Sequence, residues 1–309
     1  MKLAIDTKSR LPVTPDAVKL ELAPITNDAQ YLAPAACGGQ HDTLMSNDAA
    51  ATLKPRDWAA LLTALVLPSI ITWIYFFQAE GAKASAQVAI FVAVKILQFA
   101  LPIVWVLAIQ RGAFKLFSSP LPGTPGRGAG GEGLNASNMT RSGVPFGLAF
   151  GALVATAMLA LYFAVLKGSA LLTAPSQEIT AKVTGWNIDA AWKYALLGLF
   201  YSLFHSLLEE YYWRWFVFSQ LRRSISINAA IAISSLGFMA HHVLVLGKFF
   251  GFDHWITYAF SACIAIGGAV WAWLYHRTGS LLGPWLSHLL VDAAIFAIGY
   301  DLVRHLFNP

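Results

Sequence analysis

The sequence predicts an all-α fold: a polytopic membrane helical bundle with about seven or eight transmembrane helices. Three observations predict it. Of the 309 residues, 57% are hydrophobic and only 12% are charged, where ordinary soluble domains carry about 25% charged residues. Mean hydropathy is +0.58. Apolar runs also recur at the length of roughly 20 residues that a helix needs to cross the hydrocarbon layer.

Residues 1–57 mix Lys, Asp, Pro and Asn without a helical period and without the basic, apolar and small-residue blocks of a secretory leader. They read as a flexible polar tail. The segment 58–117 holds the first two transmembrane helices, at 58–78 ("WAALLTALVLPSIITWIYFFQ") and 86–109. Residues 118–145 are rich in Gly and Pro, hold neither a helix nor a core, and read as a loose loop. The remaining helices fill 146–309. Apolar runs lie at 145–166, about 190–221, 225–246, 256–275 and 281–300, and the long run at 190–221 can be read as one helix or two. No period of about 20 to 50 residues repeats, which argues against a solenoid or an inverted-repeat transporter.

Lys54 and Arg56 precede the first helix, Arg111, Lys115, Arg127 and Arg141 follow the second, Arg222 and Arg223 follow the fourth, and Arg277 follows the sixth. With seven alternating crossings these cations share one side. The N-terminus is then cytoplasmic, the C-terminus lies outside, and the chain is a multi-pass protein of the cell membrane. The net charge of +5 fits basic cytoplasmic loops. No separate basic, aromatic module argues for nucleic acid, so the lipid bilayer and a membrane-associated substrate are the expected partners. Cys37 and Cys263 build neither a disulfide framework nor a cysteine metal site.

Within the apolar C-terminal half, residues 206–218 read "SLLEEYYWRWFVF". A charge at mid-bilayer costs roughly 2.5 to 3.5 kcal/mol, so Glu209, Glu210, Arg214 and Asp292 would together cost on the order of 10 kcal/mol unpaired. On a helix, Glu210 and Arg214 are spaced i,i+4 and face each other, while Glu209 is turned about 100° away. The spacing assigns an ion pair to Glu210 and Arg214 and leaves Glu209 free for chemistry. His205, four residues before Glu209, shares its face and reads, as a lone histidine, as structural. The bland alternative is that all three charges only join helices. Two further constellations weigh against it. "SSLGFMAHHVLVL" (234–246) carries adjacent His241 and His242, and "GPWLSHLLVDAA" (283–294) places His288 and Asp292 at i,i+4. A polar cluster at the centre of the bundle satisfies them all.

A desolvated Glu can take a proton from water, and a His can share that work or donate to the leaving group. A second His with Asp292 can steady the oxyanion formed when water adds to an amide carbonyl. These are the parts of a peptide-bond hydrolase. No cofactor is firmly expected. The alternative is a divalent metal, zinc, held by Glu209, His242 and His288, although the HExxH signature is absent.

Glu-Glu-x-x-x-Arg (Glu209, Glu210, Arg214), Phe-x-x-x-His (Phe238, His242) and His-x-x-x-Asp (His288, Asp292) resemble, in order and spacing, the motifs of the CAAX protease and bacteriocin-processing (CPBP, or Abi) intramembrane proteases. The resemblance covers a core of about 190–300. It implies a glutamate-type membrane endopeptidase related to the type II CAAX prenyl endopeptidases, acting on a membrane-associated protein or peptide in C-terminal processing or sorting. Glu209 would be the base, His242 would position the water, and His288 with Asp292 would form the oxyanion side. Glu210 and Arg214 would support them without any required metal, and His241 would stand behind His242.

One departure is Asp292, where the prenyl endopeptidases have Asn: an ionised Asp cannot donate to an oxyanion, so it must be protonated, orient His288 or bind a metal. The doubled histidine is another, and the Phe-x-x-x-His register favours His242 over His241. A non-catalytic membrane scaffold or bacteriocin-immunity protein, or a proton-coupled transporter, are the alternative functions. Tyr211, Tyr212, Trp213 and Trp215 read as interfacial anchors and packing groups. Lys95, inside the second apolar run, reads as a snorkelling or ion-paired lysine, with contact to a substrate carboxyl terminus as the alternative.

Overall fold

The computed structural model describes residues 53–79, 81–110 and 143–307. Most of the expected tail, with Cys37, and most of the expected Gly/Pro loop, with Arg111, Lys115, Arg127 and Arg141, lie outside the described residues. Among those described there are helices and no strands. In chain order they are α1 (Pro55–Gln78), α2 (Ser85–Ile109), α3 (Val144–Leu166), α4 (Thr173–Gly185), α5 (191–221), and α6 (Ile227–Phe250), α7 (Trp255–Thr278) and α8 (Leu282–Leu306).

Six of these, all but α4 and α5, are long and apolar enough to cross a membrane. The protein is a multi-pass membrane helical bundle. The segment expected as the fourth span is α5, a single unbroken helix in which π-type turns (Tyr201–His205 and Tyr211–Phe218) flank the α-type turn Ser206–Glu210. Such widened turns recur at functional segments, and they frame the two glutamates here. Helix α4 was not expected. Its sequence "TAPSQEITAKVTG" is polar, and it buries only Pro175 and Val183, so no apolar run announced it.

Local chemistry sets the helix ends. Helix α1 begins at Pro55, ahead of the expected Trp58. A proline in the first turn has no N–H to leave unsatisfied, and the Asp57 carboxylate accepts from the Lys54 backbone N–H at 3.0 Å. Ser226 caps α6 by accepting from Ala229 N–H at 3.4 Å. Helix α7 stops at Gly279, whose φ of 66° is the left-handed conformation that glycine adopts without penalty.

Helix α5 runs through the core. Tyr212, Trp213, Arg214, Trp215, Phe216 and Phe218 are all essentially inaccessible, packed against Leu61 and Ala64 of α1, Val106 of α2, Phe238 of α6 and Trp271 of α7. The outer surface carries exposed Leu153, Val165, Trp192 and Ile266, as a lipid-facing surface should.

Helices α3 and α8 touch backbone to backbone. A Cβ on Gly147 would collide with the Gly283 carbonyl, and one on Gly151 would sit 2.7 Å from the Ser287 carbonyl oxygen. Small residues four apart on both helices permit this approach, in the manner of membrane helix pairs. The contact fixes the axial position of α8 immediately beside His288. Gly147→Leu is expected to destabilise the protein by about 1–3 kcal/mol, as overpacked cores do. A lowered thermal midpoint in detergent is the readout, and a midpoint equal to wild type would show that the helices do not meet at this point.

Candidate active site

Helix α5 supplies four polar side chains one or two turns apart. Arg214 Nη1 donates to Glu210 Oε1 at 2.9 Å, and Nη2 donates to the Gly268 carbonyl of α7 at 3.3 Å. The guanidinium carbon lies over the rings of Phe238 and Trp271, 4.6 and 5.0 Å from their centroids. Both members of the pair are buried. The i,i+4 ion pair expected from spacing is formed.

Glu210 does more than pair with Arg214. Its Oε1 also accepts from Nδ1 of His288, on α8, at 2.8 Å. A carboxylate only accepts, so Nδ1 carries the proton. The His288 ring stacks on Trp271, with centroids 4.4 Å apart and 18° between planes, and Trp271 Nε1 donates to Ser287 Oγ at 2.9 Å. Held from two sides, His288 turns Nε2 towards Glu209 Oε2 at 3.8 Å and Asp292 Oδ1 at 3.6 Å.

Glu209 itself is 4% exposed and sits among three histidines. His205 Nε2 is 3.9 Å away, His241 Nε2 is 3.6 Å away, and His288 Nε2 is 3.8 Å away. Each distance exceeds a direct hydrogen bond, so the carboxylate keeps its lone pairs uncommitted while surrounded by ring nitrogens. Three helices, α5, α6 and α8, thus bring one free carboxylate and three imidazoles together at a buried point.

Residues 191–294, from the start of α5 into α8, match the family model described as Type II CAAX prenyl endopeptidase Rce1-like. This is a domain of the CPBP/CAAX protease family. The match takes in all three motifs. No curated protein and no solved structure matches.

Within the Rce1-like domain the two α6 histidines take different positions. His242 donates from Nδ1 to the Phe238 carbonyl at 2.8 Å, which leaves the lone pair on Nε2. Its ring centroid is 4.1 Å from that of His241. His241 is the α6 histidine within 4.0 Å of Glu209, held parallel to Trp213 with 4° between planes. Neighbouring residues on a helix diverge by about 100°, so only one of the two can point straight at Glu209. Sequence register alone had set His241 behind His242.

His205, read from sequence as structural, also belongs to the cluster. It is held between Tyr201, at a centroid distance of 4.9 Å, and the edge of Phe99, at 6.2 Å. Its signal was the i−4 spacing to Glu209. The aromatic residues after Glu210 lie inside the bundle, not at an interface: Tyr212 donates to the Ala64 carbonyl at 2.7 Å, and Trp213 and Trp215 are at most 1% exposed. Lys95 holds its ammonium 5.8 Å from the Phe91 centroid and 5.5 Å from that of Phe99. Among the described residues no group of three or more His, Cys, Asp or Glu side chains is arranged to hold a metal ion.

Proposed function

We propose that the protein is an intramembrane endopeptidase of the cell membrane that hydrolyses a peptide bond of a membrane-associated protein substrate in C-terminal processing or sorting. The observation that carries this reading is the buried, uncommitted Glu209 carboxylate within 4.0 Å of three imidazole nitrogens. A carboxylate in that setting takes a proton from water. His242, whose Nδ1 proton is spent on the Phe238 carbonyl, offers its Nε2 lone pair to orient the same water.

The water oxygen adds to the scissile carbonyl carbon, its proton passes to Glu209, and the carbonyl π pair moves onto oxygen. When the tetrahedral intermediate collapses, the C–N bond breaks and the leaving amine takes the proton back from Glu209. His288 and Asp292 line the oxyanion side. With Nδ1–H on Glu210, His288 donates from Nε2 only when the ring holds its second proton, and Asp292 beside it stabilises that form. Glu210 and Arg214 hold His288 in place, and His241 packs beside His242 and faces Glu209.

The family description names a prenyl endopeptidase, so the first substrates to try are internally quenched peptides with an S-farnesyl cysteine as the fourth residue from a free carboxyl end. Purified protein in lipid nanodiscs is expected to cut them, with the bond located by mass spectrometry. Because Glu209 and the histidines activate water by themselves in this scheme, incubation with a strong chelator is expected to leave the rate unchanged. A rate abolished by chelation and restored by zinc would replace the scheme with the metal set Glu209, His242 and His288.

A further inference from the structure

We propose that Lys95 is a catalytic residue of the hydrolysis set out above, on which this inference rests, and that its ammonium stabilises the oxyanion of the tetrahedral intermediate from the α2 wall of the site. Lys95 lies on α2, outside the segment that carries the three motifs.

Donor accounting leads there. Three carboxylates, Glu209, Glu210 and Asp292, gather within a few ångströms of His288. Arg214, the full cation among them, is spent on Glu210 and the Gly268 carbonyl. The Nδ1 proton of His288 goes to Glu210 and that of His242 to the Phe238 carbonyl. His205 and His241 turn Nε2 towards Glu209 and offer at most neutral imidazole N–H groups. A new negative oxygen forming in this cluster therefore meets no uncommitted full positive charge there, and a site so rich in carboxylates opposes its formation.

Lys95 supplies what is short. No described carboxylate lies within 4.0 Å of it, and its ammonium rests against the faces of Phe91 and Phe99. Phe99 packs edge-on against His205, whose Nε2 is 3.9 Å from Glu209. The ammonium and the His205 ring thus share Phe99, a ring that also packs against Tyr212 of α5. Snorkelling does not account for it. Lys95 stands near the middle of Ser85–Ile109, and with a rise of about 1.5 Å per residue it is roughly 15 Å from the nearer helix end, beyond the reach of its side chain. An ammonium held over aromatic faces, with no described carboxylate within 4.0 Å, is a preorganised positive charge, which is the form that transition-state stabilisation takes in a water-poor site.

The test is steady-state cleavage of the farnesylated quenched peptide in nanodiscs by wild type, Lys95→Met, Lys95→Arg, Asp292→Asn, the Lys95→Met/Asp292→Asn double variant and Glu209→Gln, with thermal midpoints measured for each. Lys95→Met is expected to lower kcat by about 100-fold, the loss typical of one oxyanion donor, with KM within about threefold. Lys95→Arg is expected to retain part of the rate. The double variant should recover part of the loss, because Asp292→Asn both removes a negative charge and adds a donor. A kcat for Lys95→Met equal to wild type while Glu209→Gln is silent would overturn the role of Lys95 and leave the glutamate mechanism standing. A loss confined to KM, or a loss matched by a collapsed thermal midpoint and shared equally by Lys95→Arg, would likewise overturn it. Full activity in Glu209→Gln would overturn the glutamate mechanism and this inference with it.

Discussion

Glu209→Gln is expected to lower the rate of peptide cleavage by about 10³-fold, within the range that general acid–base catalysis contributes. The substitution keeps the shape of the side chain and removes its ability to take a proton. It should do so without unfolding the bundle, because none of the three surrounding imidazoles is closer than 3.6 Å and no direct hydrogen bond to Glu209 has to be broken. Glu209→Asp withdraws the carboxylate by one methylene and should fall between the two. The measurement is kcat on the quenched farnesyl peptide, paired with the thermal midpoint of each variant. A Glu209→Gln rate within tenfold of wild type would remove Glu209 from the proton-transfer step, whatever the other residues do.

Arg214→Met should have the largest effect on stability. Removing one partner of a buried pair leaves an uncompensated charge and typically costs about 3–5 kcal/mol. Here the loss reaches three elements at once, since the guanidinium joins Glu210 of its own helix, the Gly268 carbonyl of α7 and the ring faces of Phe238 and Trp271. Arg214→Lys is expected to rescue little, because an ammonium cannot make the planar, forked set of contacts. The Arg214→Met/Glu210→Gln pair should be more stable than Arg214→Met alone, because it also removes the stranded carboxylate. It should remain poorly active, because His288 loses the carboxylate that fixes its ring. Unfolding in mixed detergent micelles checks the order of the three variants. A double variant no more stable than Arg214→Met would show that the cost lies in lost packing and not in the unpaired charge.

What was legible in the sequence was what depends on neighbours along one helix. Glu210 and Arg214 lie one turn apart, so their pairing follows from the geometry of any helix that contains them, and His205 likewise had to share the face of Glu209. The apolar runs named seven candidate crossings before any packing was known; six of them are helices long and apolar enough to cross, and the seventh, 190–221, is α5. Helix α4 escaped because a short polar helix has no apolar period to announce it.

The sequence by itself determined that this chain is a membrane bundle, that its C-terminal half holds charges too costly to be idle, and that the motifs carrying them belong together. The tertiary structure alone decided that His241 points directly at Glu209 while His242 turns Nδ1 to the Phe238 carbonyl, that Glu210 serves His288 as well as Arg214, and that Lys95 shares the Phe99 ring with His205. Those facts depend on how far one helix is rotated and slid against another. That rotation and depth are fixed by contacts such as Gly147 on Gly283 and Trp271 on His288, between residues whose separation along the chain bears no fixed relation to their distance in space.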